Sequence, residues 1–281
     1  MKATMAVVSV LFASLFSESS IALAGAPGAP RAEKVTFESD GLTLVGYLYH
    51  PEGSGPWPAL IWNHGSERDP GAGPQFDAVA AAFVPDGYLV FAPVRRGHGE
   101  SQGEYIVNRI KLTARTLGRG AAARLTAELL STEQFRDQLS GLVYVAKLPF
   151  VDSDRIVVAG CSFGGIETLL GAIQGVGYRA AVSISPAALN WDQSEPLRSL
   201  LTQTVRRIEI PVLLIQPAKD ESLGPSRVLG AEAVRQRKPI TTKVYPATGP
   251  EKEQSHCFGG AAGMHVWEED AKAFFRANLQ P

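Results

Sequence analysis

Ser162 stands in Gly160-Cys161-Ser162-Phe163-Gly164, a serine with glycine two positions before it and two after. That spacing suits a tight strand-to-helix turn, where a side chain at either glycine would collide and the serine hydroxyl is held forward as a nucleophile. A hydroxyl is a weak nucleophile at neutral pH, so the chemistry needs a histidine to take its proton and an acid to orient that histidine. Five histidines are available: His50, His64, His98, His256 and His265.

Which of them can serve depends on the elements that carry them. Residues 34–49 alternate apolar and polar positions around Asp40-Gly41, the pattern of a β-hairpin with a tight turn. Continuous apolar runs follow at Ala59–Trp62, Tyr88–Ala92, Ile156–Ala159, Ala180–Ser185 and Val212–Ile215, with a further strand at Thr242–Tyr245. Such runs read as strands buried on both faces. Helical spacing lies between them at Phe76–Phe83, Phe135–Ala146 and Gly165–Ile173, and a last helix spans Trp267–Leu279. Strands alternating with helices predict an α/β chain: a mostly parallel central sheet with helices on both faces. The stretch Glu104–Thr132 breaks the alternation, and its apolar spacing suits one or two amphipathic helices, either a small lid or an elaborated connection.

In a parallel sheet, ligands gather beyond the carboxyl ends of the strands. Ser162 follows one strand directly and precedes a helix whose N-terminal amides point toward charge developing beside it. Asp220 follows the Val212–Ile215 strand and is the expected acid, with Glu221 the weaker candidate. The loop after Tyr245 carries His256 and His265. His256 is the expected base, since it lies in mid-loop before Gly259-Gly260, and His265, at the start of the last helix, is the alternative. His50 lies near the end of the hairpin and reads as a surface or structural residue.

The serine, aspartate, histidine order, the elbow and the strand alternation resemble the α/β-hydrolase superfamily. Asn63-His64-Gly65-Ser66 and Arg95-Arg96-Gly97-His98-Gly99-Glu100-Ser101 match segments common in these enzymes. The resemblance implies an α/β-hydrolase fold and an oxyanion hole formed by the backbone N–H groups of Ser66 and Phe163. It leaves His64 and His98 to brace loops. Within the superfamily the chain is most similar to dienelactone-hydrolase-type enzymes and to the catalytic domain of prolyl oligopeptidases. It departs from dienelactone hydrolase proper, whose nucleophile is a cysteine. The implied activity is hydrolysis of a small carboxylic ester through an acyl-enzyme. A serine peptidase or amidase acting on short peptides stands second, because 281 residues leave no room for a propeller domain. A catalytically silent fold used for binding stands third.

Cys161 and Cys257 adjoin the expected nucleophile and base. Cys161 is expected to turn away from the pocket into the core. A Cys161–Cys257 disulfide is the less favoured arrangement, and requires Cα atoms within about 7 Å. No cofactor or metal is expected, since no histidine pair or cysteine group has ligand spacing.

The remaining composition limits partners and place. A net charge of −1, with no basic run, argues against nucleic acid. Lys2, an apolar run from Ala6 to Phe16, and Ala22-Leu23-Ala24 before Gly25 have the order of a cleavable export signal. Residues 1–24 are therefore expected to be a signal peptide, 25–33 a flexible leader and 34–281 one catalytic domain, secreted or periplasmic and without a membrane span. Oligomeric state is not legible.

Overall fold

The computed structural model describes residues 30–173, 175–247 and 255–279. The expected signal peptide and most of the leader lie outside the described residues. Eight strands form one sheet in the order β1-β2-β4-β3-β5-β6-β7-β8. They are β1 Glu33–Ser39, β2 Leu42–Tyr49, β3 Trp57–Asn63, β4 Leu89–Pro93, β5 Val151–Cys161, β6 Ala181–Ile184, β7 Val212–Pro217 and β8 Ile240–Tyr245. The β1–β2 and β2–β4 pairings are antiparallel and all the others parallel. The β1–β2 hairpin closes at Asp40 and Gly41, both at positive φ (49° and 77°), as a two-residue turn matched to strand twist requires.

The helices are α1 Gln75–Phe83, α2 Ile106–Leu117, α3 Arg119–Ser131, α4 Glu133–Ala146, α5 Phe163–Gly171, α6 Glu195–Arg207, α7 Gly230–Gln236 and α8 Glu268–Asn278. Period-two alternation along β5 feeds a separate apolar layer on each face. Ile156 and Val158 join the layer under α3 to α7, whereas Val157, Ala159 and Cys161 join the layer under α1 and α8. This two-sided burial is why the strands read as unbroken apolar runs. Among the described residues no helix is long and apolar enough to cross a membrane.

β5, α6 and α7 differ from the sequence expectation, whereas the helices expected after Glu104 are present. β5 begins at Val151, five residues early, across a register shift opposite Trp57 and Ala59. α6 was not anticipated, although Ser194 caps it by accepting from the Leu197 amide and Leu197, Leu201 and Val205 recur at helical spacing on its buried side. The segment after Glu104 is an α2–α3 hairpin, and α3 packs on α4, α5 and α6.

Candidate active site

The chain leaves β5 at Cys161 and enters α5 at Phe163, so Ser162 takes the whole turn, at φ 58° and ψ −118°. A non-glycine residue at positive φ is strained and is retained where its surroundings fix it. Here the Ser162 amide donates to the Ile184 carbonyl at 3.0 Å and its own carbonyl accepts from Ile166 at 3.1 Å. The flanking glycines are needed for close approach. A Cβ on Gly160 would lie 2.6 Å from the Asn63 Cβ, and one on Gly164 would lie 2.0 Å from the Asn63 carbonyl oxygen. Both contacts bring the exit of β3 against the elbow, and with it the loop His64-Gly65-Ser66.

Asp220 lies three residues beyond β7 and is 4% exposed. Its carboxylate accepts from Gln216 Nε2 at 3.0 Å, from the Glu221 amide at 2.9 Å and from His256 Nδ1 at 2.8 Å. Burial by itself would raise its pKa, but the hydrogen bond and charge of His256, with Gln216 adding, hold it below the ordinary value. Because Nδ1 donates to Asp220, His256 presents Nε2 as its acceptor. That atom is buried without a hydrogen-bond partner among the described residues. Ser162 and His256 line one cavity of about 1070 Å³, which Ser66, Glu67, Trp62 and Leu189 also border. His265 borders the same cavity, but its Nδ1 donates to the Ala262 carbonyl at 3.0 Å and no carboxylate meets it among the described hydrogen bonds and ion pairs.

The other histidines are spoken for. His64 is fully buried, accepts at Nε2 from the Arg95 amide at 3.1 Å and donates from Nδ1 to the Gly65 carbonyl at 2.9 Å. Burial, with Arg95 beside it, keeps its pKa far below the ordinary value, so it is neutral and fixed. Burial likewise pushes His98 down to about 3, and its Nδ1 meets the Arg96 carbonyl at 3.1 Å. His50 pairs with Glu33 at 3.0 Å, far along the sheet from Ser162.

The Phe163 N–H opens α5 and has no intrahelical acceptor, so it is free to receive a negative oxygen. Ser66 offers the second candidate donor. Its loop is held by a residue the sequence reading did not single out by role. The Arg95 guanidinium donates to the His64 carbonyl at 2.8 Å, to the Gly65 carbonyl at 2.6 Å and to Glu167 Oε2 at 2.8 Å. Tyr105 donates to the Ser66 carbonyl at 2.5 Å. An arginine following an apolar strand and a glutamate inside an otherwise apolar helix were the available signals.

One expectation is corrected. Cys161 does not turn away from the pocket into plain core packing. It forms a disulfide with Cys257 across Cα atoms 6.0 Å apart, and both residues border the cavity. The alternation of β5 places Cys161 on the α1–α8 face, the face down which the His256 loop runs. The sulfurs and the His256 ring lie within 4.8 Å of one another. With both sulfurs in the disulfide neither is a thiolate, so the group offers a metal one imidazole. Among the described residues bordering the cavity none comes from α2 or α3.

Residues 119–212 match the prolyl oligopeptidase family. A Bacillus subtilis protein named as an uncharacterized peptidase, YtmA, is 24% identical over 241 residues, covering 76% of this chain and 84% of that one. The acylaminoacyl peptidase of Pyrococcus horikoshii superposes with a TM-score of 0.66 at 19% identity, over 89% of this chain and 42% of that one. The chain thus spans about two fifths of the acylaminoacyl peptidase. An esterase of Pyrococcus furiosus superposes with a TM-score of 0.65 at 17% identity, over 89% of this chain and 92% of the other.

Proposed function

We propose that this chain is a prolyl-oligopeptidase-like serine hydrolase of the α/β-hydrolase superfamily, an exported esterase that cleaves carboxylic esters through an acyl-enzyme. The observation that carries the reading is the 2.8 Å contact of His256 Nδ1 with Asp220, which leaves His256 Nε2 unpartnered in the cavity that Ser162 borders. Ser162 Oγ attacks the ester carbonyl while Nε2 takes its proton. Asp220 holds the ring tautomer and stabilises the imidazolium, and the N–H groups of Phe163 and Ser66 receive the oxyanion. Collapse passes the proton from Nε2 to the leaving alkoxide. Water then enters by the same steps in reverse and releases the acid.

An ester is favoured over an amide because an alkoxide leaves with less help than an amine. The open cavity brings together no described lysine or arginine to grip a peptide carboxylate. The peptidase reading stands second, supported by the name of the Bacillus subtilis relative. Export is supported by the disulfide, a bond that persists in oxidising compartments. N-terminal sequencing of the secreted protein should begin near Gly25, and retention of Lys2 in the exported form would count against it.

The test is a parallel panel of short acyl p-nitrophenyl esters and aminoacyl or peptidyl p-nitroanilides, run beside fluorophosphonate labelling. Ester turnover is expected, with label on Ser162 and loss of both in Ser162→Ala. Turnover of amides alone would sink the esterase reading. An intact protein that neither labels nor turns over would leave only a binding role.

A further inference from the structure

The single disulfide joins the residue before the nucleophile to the residue after the base, bridging a sequence separation of 96. Its setting is unusual for a bond of merely structural use. Beyond His256 the backbone runs through Cys257, Phe258 and Gly259 at φ 53°, 59° and 71°, then Gly260 at φ 70°. Left-handed backbone at consecutive non-glycine residues is costly and must be imposed by contacts around it. On one side Phe258 is buried against Tyr245, with ring centroids 5.5 Å apart. On the other, His256 is held through Nδ1 to Asp220 at 2.8 Å. The covalent tie from this loop to the elbow is the disulfide, between chain positions whose Cα atoms are 6.0 Å apart. Both cysteines border the cavity, and Cys257 is partly exposed, which gives a small thiol an approach to the bond.

We propose that Cys161 and Cys257 are a positioning pair for the reaction: their disulfide ties the loop that carries His256 to the elbow that carries Ser162, and thiol–disulfide exchange within the cavity sets the turnover rate. The proposal rests on the roles given above to Ser162 and His256. With a dithiol as the reductant, one of its thiolates attacks a cysteine sulfur, forming a mixed disulfide and expelling the other cysteine as thiolate. The second thiol of the reagent then displaces the remaining cysteine. One disulfide is broken in the protein and one is formed in the cyclic reagent, and the two reagent protons end on Cys161 and Cys257. Reduction would release the His256 loop from this tether, while the Nδ1 contact with Asp220 does not pass through the sulfurs.

The test measures kcat, KM, the rate of fluorophosphonate labelling and free thiols on the full-length protein. It uses oxidised, dithiothreitol-treated and reoxidised samples, at a temperature below the melting transition of all three. Reduction should expose two thiols per chain and lower kcat by about 10- to 100-fold, as expected of a misplaced catalytic group. KM should change by less than about twofold, and reoxidation should restore the rate. The double variant C161A/C257A should have the low kcat with or without dithiol; if it does not fold, the reduction and reoxidation series on the natural protein decides alone. A reduced, folded protein with unchanged kcat would show the bond to be a stabiliser only and overturn the proposal. So would a folded protein whose disulfide the dithiol cannot reach. An oxidised protein that neither labels nor turns over would instead overturn the serine hydrolase roles on which the proposal rests.

Discussion

At His256 the two ring nitrogens differ, Nδ1 bound to Asp220 and Nε2 buried without a partner among the described residues. His265 borders the same cavity with its Nδ1 committed to a backbone carbonyl. His256→Ala should therefore lower kcat by about 10⁴-fold or more, whereas His265→Ala should keep activity within a few-fold; steady-state kinetics on the two variants separates them, and the reverse result would move the base to His265. Asp220 adds a pH signature. Its folded pKa is depressed, so its charge is in place above the ordinary carboxylate value and is lost only as pH falls through the lower folded value. The acid limb of kcat/KM should accordingly show no carboxylate step near 3.8, and a break there would mean that Asp220 is not held in its charged form. The sequence made these candidates legible because strand ends are readable and loops that follow strands converge. It did not make the disulfide legible, because a 6.0 Å approach across 96 residues of chain depends on which face of β5 the His256 loop descends.

At the level of elements, the site is a junction of β3, β5, α5 and the loops after β7 and β8. One tight point is Gly164, whose absent side chain lets α5 lie against the Asn63 and His64 carbonyls. Gly164→Ala should push the Ser66 loop away from the elbow, costing about 1–3 kcal/mol of stability and slowing fluorophosphonate labelling of the folded fraction. Thermal melts and labelling rates check the two effects, and an unchanged labelling rate would mean that the loop position does not matter. The strand-turn-helix core of this junction was readable from apolar runs and paired glycines. What closes it from behind was not: Arg95 lies in the Arg95-Arg96-Gly97 segment recognised by resemblance, yet its hydrogen bonds to two carbonyls of the Ser66 loop arise only when β4 and α5 are packed together. α6 escaped notice because its polar residues outnumber the three apolar ones that anchor it.

Over the whole molecule, the buried Arg95–Glu167 pair links site geometry to stability. Burial pushes the Glu167 carboxyl from 4.5 up to about 7, with Arg95 opposing. The sign follows from the proton count: the folded state holds this proton more tightly than the unfolded chain, so the contribution is full below 4.5 and is lost as pH rises toward about 7. Glu167→Gln carries no such proton. Its melting temperature relative to the natural protein should therefore climb across that window and level off above it, as a pH series of thermal melts would report. A difference that stays flat would mean that Glu167 is ionised throughout.

The order of parts along the chain has a consequence for synthesis. The nucleophile, its strand and the Arg95 brace are all present once α5 has been made, yet the acid arrives only after β7 and the base after β8. Cys257, which follows the base, then closes the bond back to Cys161. On the proposed roles, a nascent or interrupted chain that ends before His256 cannot activate Ser162. On those roles the activity is thus acquired late in synthesis, together with the Cys161–Cys257 linkage, which forms where oxidation is available.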